Sequence, residues 1–202
     1  MKARNAVVLG CVLVLGASTA SRAAAVVGEK APDFSLADSH GQKHSLAALQ
    51  GKYVVLEWVN YECPFVQKHY NSGNMQGLQK TYTGKGVVWL AINSSAPGKQ
   101  GNFAPAEIET RSKQHDASFS AYLVDADGTV GRAYGAKTTP HMFVIDPSGT
   151  LLYAGGIDDK PSTEAADVKT ATNFVRSALD QALAGKPVSV SSSQPYGCSV
   201  KY

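Results

Sequence analysis

The sequence is short of cysteine: its 202 residues hold three, Cys11, Cys63 and Cys198. So few exclude a disulfide-stapled scaffold, and each cysteine needs its own explanation. The chain also lacks a charge excess once its first residues are set aside. Residues 1–25 carry Lys2, Arg4 and Arg22 and no acidic side chain, so they account for the whole formal charge of +3. A neutral body without a basic run offers no footprint for nucleic acid. It offers none for an anionic membrane surface either. No apolar stretch is long enough to span a bilayer comfortably. A phosphate loop and a serine-triad motif are missing, and His40 and His44 show no zinc spacing. His69 falls off the helix face that Cys63 would share, which makes the pair a poor metal site. No metal or cofactor is expected.

What is present reads as a globular protein, 44% hydrophobic and 17% charged. Lys2 and Arg4 precede an apolar stretch from Ala6 to Ala17, and small residues follow to Ala25. This is the pattern of a cleaved secretory signal. Cleavage is expected after Ala25, with Ala20 as the alternative; lipidation of Cys11 is the lesser option, since little apolar sequence precedes it. The chain then divides into a signal peptide (1–25), one domain (26–185) and a C-terminal tail (186–202) that carries Cys198. The mature protein is expected to be periplasmic or secreted, with no membrane span after cleavage. Disulfides form in such compartments.

Near-continuous apolar runs at Tyr53–Val59 and Gly86–Asn93 predict strands buried on both faces. Further strands are expected at Ala121–Val124 and Met142–Ile145. The turn Asp146-Pro147-Ser148-Gly149 joins the latter to a returning antiparallel strand at Leu151–Ala154. Helices are expected from Pro64, across Met75–Tyr82, over Pro105–His115, and briefly over Val130–Tyr134. A last helix, capped by Ser162 or Thr163, would bury Val168, Ala171, Val175, Ala178 and Ala182. Strands alternating with helices predict an α/β fold, a central mixed sheet with helices on both faces. The polar tail reads as flexible enough to reach across a surface.

Cys63 is the most informative residue. It follows a buried strand and directly precedes Pro64, a proline welcome at the first helical position. A cysteine at a helix N-terminus meets free backbone amides and the positive end of the dipole, which favour the nucleophilic thiolate. The alternative is an inert buried cysteine. The segment Thr138-Thr139-Pro140-His141 runs into the strand Met142–Ile145.

Three segments together resemble the thioredoxin-like superfamily. They are Trp58–Phe65, Thr138–Asp146 and Ala31-Pro32-Asp33-Phe34-Ser35-Leu36. The last resembles the alkyl hydroperoxide reductase/thiol-specific antioxidant (redoxin) branch and related periplasmic thiol–disulfide oxidoreductases. The resemblance covers about Val27 to Ala184 and implies a thioredoxin-like sheet. It implies that Pro140 is cis and that Thr139 and Pro140 flank Cys63. It also implies that Glu57, six residues before Cys63, is a buried acid. Such a carboxyl has a raised pKa and can relay a proton to a thiol; the alternative is a strand-end glutamate facing solvent.

The chain departs from both patterns it resembles. Val66 stands where a thioredoxin has its second cysteine. Asn60 and Leu56 stand where a peroxiredoxin has its threonine and proline, and Pro140 falls at the position of its arginine. Cys198 is therefore the candidate resolving cysteine. A static Cys63–Cys198 staple and an intermolecular disulfide are the alternatives. Catalytic candidates are Cys63, Cys198 and Glu57; Asn60, Pro64, Thr139, Pro140 and His141 are candidates for lining the substrate site.

The expected function is thiol–disulfide exchange through Cys63. The partner would be a thiol or disulfide protein, a small thiol reductant, or a peroxide. A peroxiredoxin-like peroxide reductase is one alternative; a redox-inactive binding module or metallochaperone on the same scaffold is another.

Overall fold

The computed structural model describes residues 24–202. Most of the expected signal segment, with Ala20 and Cys11, lies outside the described residues. The first hairpin joins β1 (Ser35–Asp38) to β2 (Lys43–Ser45). The Asp38 carboxylate holds its turn by accepting the amides of His40 and Gln42, each at 2.9 Å. Then come β3 (Val54–Trp58), α1 (Pro64–Asn71), α2 (Asn74–Thr83), β4 (Val88–Asn93) and α3 (Pro105–Gln114). β5 (Ala121–Val124), α4 (Thr129–Tyr134), β6 (Thr138–Thr139), β7 (His141–Ile145) and β8 (Leu151–Gly155) follow. α5 (Phe174–Leu183) and β9 (Cys198–Ser199) complete the chain.

The main sheet has seven strands in the order β2-β1-β5-β4-β3-β7-β8. β3, β4 and β5 are parallel, while β7 and β8 run antiparallel. β3 is buried at every residue, which its β-branched and aromatic composition suits. Alternation along the strands divides the core into two layers. Val54, Leu56 and Trp58 pack with Leu90, Ile92, Tyr134 and Phe143 on one face. Val55 and Val59 pack with Met75, Leu78, Trp89, Met142, Val175 and Leu179 on the other, the layer that also contains Cys63. Helices α1, α2, α3 and α5 contribute buried side chains to this second layer. Helix α4 contributes Val130 and Tyr134 to the first.

Two expectations fail. The last helix begins at Phe174, capped by Asn173, and not at Ser162 or Thr163. Asp158 pairs with Asn173, Phe174 N donates to Ile157 O, and Thr172 N donates to Asp159 Oδ1. These bonds hold 171–173 outside the helix, while Ser162 spends its hydroxyl on Asp167. Val168 therefore lies in a separate 3-10 turn (Ala165–Lys169), and Ala171 precedes the helix. The Asn173 side chain accepts the Arg176 amide at 2.8 Å. Asn173→Ala should lower unfolding stability by about 1 kcal/mol, read as a lower urea midpoint.

The second failure is the tail, which is not a loose arm. Ser191 O accepts from Ala154 N, and β9 forms a two-stranded sheet with β6. Lys201 O accepts from Ala96 N, and the Tyr202 hydroxyl donates to Ala136 O at 2.8 Å.

Candidate active site

Cys63 is the residue before α1, in extended conformation, with Pro64 opening the helix. Asn60 builds the loop that delivers it. Its side-chain oxygen accepts the Glu62 amide at 2.9 Å, and its carbonyl accepts the Cys63 amide at 2.9 Å. Its amide nitrogen reaches Gln100 O at 3.4 Å. The polar atoms of Asn60 thus shape the loop, and none is bonded to the Cys63 sulfur.

The Thr139-Pro140 bond is cis. Cys63 Sγ donates to Thr139 O at 3.0 Å, which places Thr139 and Pro140 at the thiol. Cys63 and Cys198 are both free thiols. β9 pairs with β6 so that Cys198 stands opposite Thr139, and the Cys198 amide points at Cys63 Sγ from 3.4 Å. The chain separation of 135 residues is closed by that ladder.

The electrostatics separate the two sulfurs. Burial opposes ionisation of Cys63, which is only 1% exposed. Hydrogen bonds from the Cys198 thiol, the Thr139 side chain and the amides of Cys198 and Val66 outweigh it, and the thiol falls below its ordinary value. The Thr139 hydroxyl is buried with no hydrogen-bond partner in place, so its proton is free to turn toward the sulfur. Cys198 moves the other way. Burial, then its bond to Cys63 and the neighbouring charge, push it up to about 11. Cys63 is the more acidic thiol of the pair, the one that ionises first, and Cys198 the less acidic.

Glu57 is fully buried, which excludes the solvent-facing alternative. It shares a sheet face with Val55 and Val59 and so with the layer of Cys63. Tyr70 donates to its carboxyl at 3.0 Å, Gln79 at 3.0 Å and the Trp89 indole at 2.7 Å. Burial raises its pKa to about 7 against the opposing pull of these three donors. No bond of the carboxyl goes to either cysteine.

The structure does not bring His141 to the thiol. Its ring lies 4.5 Å from that of Phe143, on the opposite sheet face from Cys63, and Nδ1 accepts the Lys137 amide. Burial lowers its pKa to about 4.

Sequence reasoning missed the anchor of the tail. The Tyr196 hydroxyl donates to Asp158 and bonds His69 Nε2 at 3.0 Å. His69 is held on its other nitrogen by Asn74. Lys68 lies 4.0 Å from Asp158 and 5.5 Å from the Tyr196 ring centre. Lys68, His69 and Asp158 are all buried. The bond pattern assigns neutral His69 with its proton on Nε2, and burial pushes its pKa down to about 3. The only sequence signal for this cluster was Pro195-Tyr196-Gly197 running into Cys198. Among the described residues no group of three or more His, Cys, Asp or Glu could hold a metal. No helix there is long and apolar enough to cross a membrane.

Comparison with known proteins gives this geometry relatives. The sequence profile described as the AhpC/TSA family matches residues 27–154. The thioredoxin-like protein YneN of Bacillus subtilis is 29% identical over 144 residues, covering 70% of this chain and 79% of that one. The thiol-disulfide oxidoreductase ResA of Halalkalibacterium halodurans is 27% identical over 143 residues, 70% of this chain and 76% of that one. A hypothetical protein of Sinorhizobium meliloti superposes with a TM-score of 0.74 at 27% identity, over 89% of this chain and 96% of that one. The family match ends at Ala154, so Cys198 lies outside it.

Proposed function

We infer the function from a settled premise: the chain belongs to the AhpC/TSA family. Within it, this chain is a dithiol–disulfide oxidoreductase. Cys63 is the nucleophile and Cys198 the resolving thiol. The observation that carries the reading is the pair of free thiols held together by β6 and β9, with the Cys63 pKa lowered and that of Cys198 raised.

The Cys63 thiolate attacks one sulfur of a substrate disulfide. A Cys63–substrate disulfide forms, and the other substrate sulfur leaves as a thiolate. Cys198 then gives up its proton and attacks the Cys63 sulfur. The second substrate sulfur leaves, protonated, and a Cys63–Cys198 disulfide remains. An external dithiol returns the protein to its starting state by the same steps. Thr139 and Pro140 form the wall of the sulfur site, and Pro64 leaves the first-turn amides free for it. Glu57 is the proton reservoir of the buried layer, because a carboxyl with a pKa of about 7 can exchange a proton near neutrality. Its bonds end at Tyr70, Gln79 and Trp89, so any transfer to sulfur passes through a rearrangement or a water.

Export completes the reading. The charged, apolar and small-residue pattern of residues 1–25 supports delivery to the periplasm or the exterior, where thiol–disulfide partners are found.

Mass spectrometry of reduced protein treated with a limiting small disulfide tests the exchange. The expected product has lost two hydrogens and yields a linked peptide pair containing Cys63 and Cys198. Protein that stays fully reduced under the same treatment would refute the function. Fast loss of the Cys63 thiol to hydrogen peroxide, with slow reaction toward disulfides, would move the assignment to peroxide reduction.

A further inference from the structure

The tail strand does more than carry Cys198 to Cys63. We propose that β9 sits in the protein's substrate slot on the edge of β6, and that the substrate is an extended polypeptide in which glycine directly precedes the reacting cysteine. This rests on the exchange function proposed above and names its substrate class.

The slot is defined by backbone. Thr138 faces Ser199 and Thr139 faces Cys198 in antiparallel register, and Val200 N donates to Lys137 O at 3.1 Å. Main-chain pairing of this kind accepts any extended segment, while side-chain pockets supply selectivity. The register decides which sulfur reacts, because the residue opposite Thr139 is the one beside Cys63.

The selectivity is written at the two preceding positions. Gly197 adopts φ +139°, a conformation L side chains rarely adopt, and a Cβ there would overlap the Thr139 carbonyl. Before it, the Tyr196 ring packs against Phe65, with centroids 5.9 Å apart, and its hydroxyl reaches Asp158 and His69. An incoming segment that reproduces this fit carries an aromatic residue, then glycine, then cysteine.

The tail must leave for such a segment to enter, since Cys63 is 1% exposed with β9 in place. No residue from Lys186 to Tyr202 is fully buried, so lifting the strap breaks the Tyr196 bonds to Asp158 and His69 and its packing on Phe65 but withdraws no fully buried side chain. After the first exchange the peptide is linked to Cys63 through its own cysteine. The strap then re-pairs with β6, and the Cys198 thiolate takes the Cys63 sulfur and expels the peptide thiolate. Substrate and strap thus use one slot in turn.

The test uses the full chain bearing Cys198→Ser, with and without Gly197→Ala, which should lift the strap. The probe is a peptide copying Gln194–Val200 with its cysteine in a mixed disulfide with thionitrobenzoate. Attack by Cys63 on the peptide sulfur releases the coloured thionitrobenzoate thiolate. A second peptide carries alanine in place of the glycine. The symmetric thionitrobenzoate disulfide reports whether Cys63 reacts at all.

The glycine peptide is expected to react about tenfold faster with the double variant than with Cys198→Ser alone, and about tenfold faster than the alanine peptide. Equal rates for the two peptides, with a normal reaction of the small disulfide, would overturn the slot and leave the exchange function standing. Equal rates with and without Gly197→Ala would show that the tail does not cover the slot and would overturn it as well. No reaction with any of the three disulfides would refute the exchange function itself. Should Gly197→Ala not fold, Tyr196→Phe, which removes the bond to Asp158, lifts the strap in its place and is judged by the same outcomes.

Discussion

Replacing Cys63 by serine is expected to abolish disulfide exchange, by about a thousandfold or more, or ~4 kcal/mol of transition-state stabilisation. A serine hydroxyl is not ionised at neutral pH, and its oxygen forms no stable bond to a disulfide sulfur. The surroundings that lower the Cys63 pKa, the Cys198 thiol, the Thr139 side chain and two amides, cannot compensate for that chemistry. Cys198→Ser has a different consequence. The first attack remains, because the serine hydroxyl and the residue 198 amide still face the Cys63 sulfur. The second attack is lost, and the protein accumulates a mixed disulfide at Cys63. Gel electrophoresis without reductant separates the two variants. Cys198→Ser should give covalent adducts that a dithiol releases, and Cys63→Ser should give none. Adducts that survive in Cys63→Ser would assign the nucleophile to Cys198.

The second large effect concerns Glu57 and the dependence of stability on pH. Its carboxyl titrates near 7 in the fold and at 4.5 in the unfolded chain. The protonated form is therefore the one that folding favours. Below the unfolded value Glu57 imposes no penalty. As pH rises from 4.5 to 7, the unfolded chain loses its proton first. Stability then falls by about 3 kcal/mol and stays lower above neutrality. Glu57→Gln removes this titration and keeps the shape. Its carbonyl oxygen can accept from Trp89 and Gln79, and its amide can donate to the Tyr70 hydroxyl.

The variant should thus gain stability relative to the native protein as pH rises, by about 3 kcal/mol between pH ~4.5 and pH ~7.5. His69 and His141 titrate with the opposite sign at acid pH, which is why the difference between the two proteins is the quantity to measure. Urea unfolding of both across that range checks it. A difference independent of pH would mean that Glu57 titrates in the fold where it does in the unfolded chain.

The sheet was legible because it rests on composition. Val54-Val55-Leu56 and Trp89-Leu90-Ala91 are buried on both faces, and a short, continuous run rich in β-branched and aromatic residues favours a strand. Cys63 was legible because Pro64 marks a helix start directly behind it. The last helix was misread because Ser162 and Thr163 have the chemistry of a cap, and only a pairing between distant residues, Asp158 with Asn173, delays the helix to Phe174.

The tail was opaque for a related reason. Its polar residues look like an unstructured end, yet its order comes from backbone bonds to Lys137, Ala154 and Ala96, which side-chain identity does not announce. Glu57 stood in an apolar run, and its three donors come from α1, α2 and β4, so its burial could be suspected but its partners could not. His141 was placed wrongly because closeness in sequence to Pro140 says nothing about which sheet face a side chain takes. Strand alternation sends it to Phe143.

The account turns on which sulfur loses its proton first. Titration of thiolate ultraviolet absorbance in the reduced native protein, Cys63→Ser and Cys198→Ser decides it. The account predicts a first ionisation below the usual cysteine range, present in the native protein and in Cys198→Ser and missing in Cys63→Ser. A low-pH ionisation that disappears with Cys198, or no ionisation below the usual range in any of the three, would contradict it.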